Sequence, residues 1–316
     1  MPTLVGGTGP DGPITNYPNG VSSFGIPLYG SGGIANPFGS PPAVFVNTDT
    51  AVGNDGNDGA SPDTPYLTMA KALDNIDSNG VINFIGTIRE QLTAPLGVYG
   101  VTIQGLAGGG VRDDNGAKWT YPASGAVAGG ALLLLREQGW VLNNFLMTPE
   151  PTSGACIELR RAEDATYPDA SHFIANGMRF VGIDVTTTYG IRDIGGCSNV
   201  EVNNCEFYLC TTGYWCSSTS IANPLRNKMY GNRFLACTND LIRPSTLCLH
   251  QGNKHFNTAA TEKVEISGGA GENIVTENVF PDVAADINPG NGYDGEASDF
   301  WTNNWASDAV VFGNPA

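Results

Sequence analysis

Six short stretches of this chain repeat one arrangement of apolar and polar positions: an apolar strand, an asparagine, then an aromatic residue shortly after. They read Trp140-Val-Leu-Asn-Asn-Phe145, Phe173-Ile-Ala-Asn-Gly-Met-Arg-Phe180, Val200-Glu-Val-Asn-Asn-Cys-Glu-Phe207, Met229-Tyr-Gly-Asn-Arg-Phe234, Leu249-His-Gln-Gly-Asn-Lys-His-Phe256 and Val275-Thr-Glu-Asn-Val-Phe280. The closing phenylalanines stand 35, 27, 27, 22 and 24 residues apart. A period of roughly 20–30 residues made of short strands and turns is that of a solenoid. Among solenoids, a strand-rich repeat with a recurrent turn asparagine fits a parallel β-helix. Its coils stack about 4.8 Å apart, so equivalent side chains line up in ladders. Phenylalanine is expected to fill the interior ladder. Asparagine is expected at the corner, where it tolerates the left-handed turn and passes amide hydrogen bonds along the axis.

Further strands are expected at Ala43–Asp49, Val81–Ile85, Val98–Ile103 and Ala131–Leu135, with the stretch from Gly105 to Gly130 looping out of the coils. One segment has helical periodicity instead. Thr64 as N-cap and Pro65 at the first helical position open it, Leu67, Ala70, Leu73 and Ile76 mark an apolar face, and Asp77-Ser-Asn-Gly80 stops it. This helix, over about 65–77, is expected to cover the open edge of the first coil. The acidic cluster Asn54-Asp-Gly-Asn-Asp-Gly-Ala-Ser-Pro-Asp63 reads as turns. Counted from Asp55, a calcium loop would need glycine where Ala60 stands and glutamate where Tyr66 stands.

Residues 1–42 differ from the rest. They carry a single charge, Asp11, many glycines and prolines, and spaced apolar anchors: Tyr17, Val21, Phe24, Ile26, Leu28, Tyr29, Ile34 and Phe38. Such a segment has no periodicity on which to fold a core. It also lacks the charged, aromatic-poor composition of a solvated tail, and it reads as an extended arm that lies on another protein. At the other end, residues 282–316 lose the repeat and are expected to cap the coils or join subunits.

Composition narrows the partners. The 316 residues hold 31 acidic and 15 basic side chains, a net charge of −16, which repels phosphate backbones and anionic lipid. Nucleic acid and membrane surfaces are therefore not expected as partners. Glycine (42) and proline (20) suit a chain of turns. The seven cysteines include no C-x-x-C pair and no zinc spacing, so they are expected as reduced, buried fillers. With an N-terminus that lacks the basic and apolar regions of a signal peptide, this leads to an expectation of assembly in a reducing cytoplasm.

The opening of the folded part, Phe45-Val-Asn-Thr-Asp-Thr-Ala-Val-Gly-Asn-Asp-Gly-Asn-Asp-Gly-Ala-Ser-Pro-Asp-Thr-Pro-Tyr-Leu-Thr-Met-Ala-Lys-Ala72, resembles the start of a pectate-lyase-like right-handed parallel β-helix. There a strand and a Gly-Asn-Asp-Gly turn lead through Ser-Pro-x-Thr-Pro to a capping helix. The resemblance implies an all-β, single-stranded right-handed parallel β-helix over 43–281. The arm, with Tyr17-Pro-Asn-Gly-Val-Ser-Ser-Phe-Gly-Ile-Pro27 followed by Gly30-Ser-Gly-Gly33, is similar to β-helix virion proteins of tailed bacteriophages. That likeness implies a place in a virion.

Enzymes and tailspikes of this fold work through paired carboxylates, or through calcium, aspartates and a basic residue, on one lateral face. The candidate carboxylates are Glu163, Asp164, Asp184, Asp193, Glu201, Glu206 and Asp240, and any acidic solenoid would present such a set as solvated surface. His172, His250 and His255 form no metal set, since the last two share one strand. Gly105-Leu-Ala-Gly-Gly-Gly110 lacks the Lys-Ser/Thr of a phosphate loop. Tyr189, Tyr214, Trp215 and Trp119 could stack on sugars or pack at subunit seams. The reading is thus a structural, non-enzymatic virion protein without metal or cofactor: a homotrimer that decorates or cements a capsid exterior. It docks on the major capsid protein through Tyr17, Val21, Phe24, Ile26, Leu28, Tyr29 and Phe38. The alternative is a tailspike or depolymerase that binds and cuts a host surface glycan, although such a spike usually carries a separate virion-binding head.

Overall fold

A computed structural model describes residues 42–106, 116–160, 170–183, 188–194, 196–216, 225–242, 246–256, 262–266, 272–282, 284, 287, 293–295 and 298–311. The arm anchors Tyr17, Val21, Phe24, Ile26, Leu28, Tyr29 and Phe38 lie outside these residues, as do Glu163, Asp164 and Asp184. The chain winds through three parallel sheets of ten, eight and seven strands. One coil shows the plan: Glu201–Asn203 lies in the ten-stranded sheet, Glu206–Tyr208 in the seven-stranded sheet and Thr212–Cys216 in the eight-stranded sheet. The next coil repeats this one strand spacing higher, with Lys228–Tyr230, Arg233–Leu235 and Asn239–Ile242. Among the described residues the fold is all-β apart from one short helix.

Alternation within each strand sends one side chain inward per coil, and the parallel register stacks these into ladders. On the seven-stranded side the ladder runs Ile88, Trp119, Met147, Phe180, Phe207, Phe234, His255. The rings of Phe180, Phe207, Phe234 and His255 stack at 4.9 Å between successive centroids. Two of the expected ladder members are elsewhere. His255 occupies the rung assigned to Phe256, which is 47% exposed, and Met147 occupies the rung assigned to Phe145. The stretch from Gly105 to Gly130 does not simply loop out, because Lys118–Thr120 adds a strand and buries Trp119 fully. Among the other expected strands, Ala131–Leu135 and Val81–Ile85 form as read, whereas Val98–Ile103 is shifted to Thr102–Gly105.

The corner divides its work between two neighbouring residues. Asn144, Gly177, Asn204, Gly231, Gly252, Glu277 and Asn303 take the left-handed conformation, φ 53 to 66°. The residue after each one points inward: Phe145, Met178, Cys205, then Asn232, Asn253, Asn278 and Asn304. Only these last four form the amide ladder. Asn253 Oδ1 accepts from the Asn232 backbone N–H at 2.9 Å, and its Nδ2 donates to the Met229 carbonyl at 2.9 Å. Asn278 and Asn304 continue the pattern. A second ladder went unread in the sequence: Asn227 accepts from Val200 N–H, Asn273 from Cys248 N–H, and Asp299 from Asn273 N–H.

The helix is shorter than its sequence signals imply, Met69–Asn75, with Thr68 and not Thr64 as N-cap. Two carboxylates set its start. Asp55 accepts from the N–H groups of Leu67 and Thr68, and Glu90 from those of Met69 and Ala70. Its buried face is accordingly Met69, Ala72 and Leu73, followed by Ile76. At the far end the coils continue past residue 281: Tyr293–Gly295 pairs with Glu262–Ile266, and Phe300–Thr302 with Ile274–Thr276. An antiparallel pair, Asn304–Trp305 with Val310–Val311, follows.

Candidate functional site

The outer face of the eight-stranded sheet carries a second set of ladders, made of residues that point away from the core. Leu134, Glu158, Arg192 and Trp215 lie in register on successive coils, and Tyr189 stands beside Ala155 and Thr212. Glu158 is the centre of this group, its side chain 3% exposed between two guanidinium groups. Arg160 Nε meets Glu158 Oε1 at 2.5 Å, and Arg192 donates to Oε2 through Nε at 2.8 Å and also through Nη2. A buried carboxylate held in this way orients both arginines.

Arg192 is fixed further from the loop side. Its Nη2 donates to the Gly129 carbonyl at 2.8 Å, and its guanidinium sits over the Tyr189 ring, 5.4 Å from the centroid. Tyr189 in turn leans on Trp215, with centroids 5.8 Å apart and rings tilted by 49°. Beside these groups a cleft of about 240 Å3 opens between Gln91, Thr93, Gly129, Gly130, Arg160 and Arg192. Gln91 holds one wall, accepting from Val127 N–H at 2.6 Å and donating to Val127 O at 3.2 Å. The Arg160 side chain is 40% exposed, so part of its donor fork is open to a ligand. The open fork of Arg160, next to an Arg192 guanidinium that rests on the Tyr189 ring, suits a carboxylate-bearing ring compound.

The residues expected from sequence distribute unevenly over this picture. Of the four aromatics, Tyr189 and Trp215 come together on the outer face. Tyr214 and Trp119 are core residues, with Tyr214 donating to Asp193 and Trp119 to the Glu90 carbonyl. The four candidate carboxylates among the described residues, Asp193, Glu201, Glu206 and Asp240, do not come together. Asp193 and Asp240 are fully buried inside the coils, so neither is a solvated surface group. Glu201 pairs with Lys228 at 2.7 Å, and Glu206 lies between Arg179 and Arg233. His250 and His255 are on separate strands, either side of the Gly252 turn, with Nε2 atoms 3.3 Å apart, and Asp240 contacts His255 Nδ1 at 2.8 Å. Among the described residues no group of three or more His, Cys, Asp or Glu could hold a metal ion. The sequence reading missed Glu158, Arg160 and Arg192. The readable signal was a charge inside the otherwise apolar strand Ala155–Leu159, with an arginine at the same position one coil on.

No protein-family model and no curated protein matches this chain. Solved structures do. An alginate lyase from Paenibacillus sp. str. FPU-7 superposes with a TM-score of 0.57 at 14% identity, over 85% of this chain and 88% of that one. Pectate lyase II from Xanthomonas campestris pv. campestris gives 0.50 at 15% identity, over 91% and 82%. The chain therefore has the pectate-lyase-like parallel β-helix fold. These neighbours run against the expectation of a non-enzymatic protein, since both are polysaccharide lyases, and at this identity the likeness is one of fold.

Proposed function

We propose that this chain is a glycan-acting enzyme that binds an acidic polysaccharide along its eight-stranded face and cleaves it by β-elimination. The observation that carries the reading is the Arg160–Glu158–Arg192 cluster, which lies against Tyr189 and Trp215 at the edge of a cleft. Elimination removes the proton α to a uronate carboxylate and expels the glycosidic oxygen, leaving a double bond in the new end. Arg160 pairs with that carboxylate and stabilises the charge that develops when the proton leaves. Tyr189 gives its hydroxyl proton to the departing oxygen and takes up the proton released by the sugar carbon, ending neutral, and Trp215 supports a neighbouring ring. Glu158 positions the arginines.

The setting follows the likeness of the arm to phage virion proteins: a tailspike-type depolymerase of a tailed bacteriophage, acting on a host surface glycan. The partners and place expected from sequence, a major capsid protein, two further copies of the chain and the capsid exterior, belong to the same proposal and rest on residues 1–42.

Incubation with alginate and with polygalacturonate tests the activity, read by the ultraviolet absorbance of unsaturated ends. Arg160→Gln should lower the rate by about 10²–10³-fold, the usual cost of a lost charge-stabilising donor, with the fold unchanged. Chain shortening without unsaturated ends would replace elimination by hydrolysis. Inertness toward acidic glycans together with cleavage of a neutral one would remove the role given to Arg160.

A further inference from the structure

The seven-stranded sheet has an electrostatic character opposite to that of the whole chain. Its strands carry Arg89, Lys118, Arg179, Arg233 and Lys254 against one acidic residue, Glu206. Five of the 15 basic residues of a −16 chain thus lie on one sheet. The ten-stranded sheet has only Lys228 and Glu201, which pair with each other. On the seven-stranded sheet the register concentrates the charge: Lys118, Leu146, Arg179, Glu206, Arg233 and Lys254 form one continuous ladder.

Aromatic residues flank that ladder. Tyr208 and Leu235 lie in register on adjacent strands, and Phe256 follows Lys254–His255. The Arg179 guanidinium sits 5.6 Å from the Tyr208 ring, and that of Arg233 sits 5.7 Å from the Phe256 ring. Glu206 is held between the two arginines, 2.8 Å from Arg179 Nε and 3.4 Å from Arg233 Nη1, and so spaces them along the ladder. A cleft of about 200 Å3 opens at the corner beside Arg179, Glu206 and Arg233. Lys254 and Phe256 are exposed.

We propose that this face is a binding surface for an extended acidic polysaccharide lying along the axis of the coils, separate from the cleft on the eight-stranded sheet. Charge complementarity selects an anion, because the stripe is cationic on an acidic molecule. Rungs repeat about every 4.8 Å, a step close to the length of one pyranose residue, so cations meet carboxylates spread along a sugar chain. Tyr208 and Phe256 supply flat faces for sugar rings. A polyphosphate is disfavoured, since its dense charge is repelled by the remainder of the molecule.

Affinity electrophoresis of the full chain in gels containing polygalacturonate, alginate or neutral dextran tests this. The two acidic polymers should retard the protein in a salt-sensitive manner, and dextran should not. Arg233→Gln combined with Lys254→Gln should weaken retardation roughly tenfold or more through the lost charge contacts. Arg160→Gln, which removes the open donor of the other face, should leave retardation in place. This last variant separates failure of the binding surface from failure of the proposed activity. Equal retardation of the wild type and the double variant would overturn the proposal, as would equal retardation by dextran. So would a change of oligomeric state in the double variant, measured by light scattering, since the face would then join subunits. Retardation by polyphosphate alone would overturn it as well.

Discussion

A phenylalanine in the interior ladder touches ring neighbours above and below, which makes its removal costly in a way that one contact is not. Phe207 has its partners at 4.9 Å on both sides, at interplanar angles of 18° and 5°. Phe207→Ala or Phe234→Ala should destabilise the fold by about 3–5 kcal/mol, because packed coils cannot collapse into the void. Thermal unfolding checks this, and an unchanged melting temperature in both variants would remove the ladder assignment. The cysteines follow the same logic of burial. All seven are buried and unbridged. Burial pushes the Cys205 thiol up to about 12 and that of Cys156 well above its ordinary value. They should resist alkylation in the native protein, and mass spectrometry should find seven modified thiols after unfolding without reductant.

At the scale of elements, the helix illustrates how distant carboxylates move a boundary. Pro65 and Thr64 are sound local signals, but Asp55 and Glu90 arrive from other segments and bind the backbone N–H groups at 67–70. The cap therefore forms where these acceptors are. Glu90 carries a cost: burial raises its carboxyl above the ordinary 4.5, outweighing the two N–H bonds that pull it down. A carboxyl raised by folding contributes stability that is fully present below the ordinary value and is lost as pH rises through the folded one. Relative to Glu90→Gln, the wild type should therefore lose stability on going from below pH 4.5 to neutrality. Urea denaturation at several pH values measures this, and the opposite slope would assign the shift elsewhere.

For the whole molecule, the uneven distribution of charge matters more than its sum. A chain of net charge −16 still presents one basic sheet and one arginine-lined cleft, because parallel register places same-position residues of successive coils side by side. Modularity has a further consequence. The first strand begins at Ala43 and the helix at Met69, so removal of residues 1–42 should leave folded coils and the proposed glycan activity intact. The proposed docking through residues 1–42 predicts that the same truncation abolishes co-sedimentation with virus particles. Full attachment of the truncated chain would move docking onto the coils themselves.

By itself the sequence determined the solenoid and the interior phenylalanine rungs at 180, 207, 234 and 280, because each depends on a short-range pattern that successive coils repeat. It also marked Tyr189 and Trp215 as aromatics able to meet a sugar. Only the tertiary structure decided which residue filled a rung when two were adjacent, as with His255 and Phe256. Such a choice turns on the left-handed residue at Gly252, which sets the phase of the strand after it. The same holds for the site. Glu158 and Arg192 are 34 residues apart in the chain and meet only because one coil lies on the next. That separation varies with each turn's length, so no spacing along the sequence announces it.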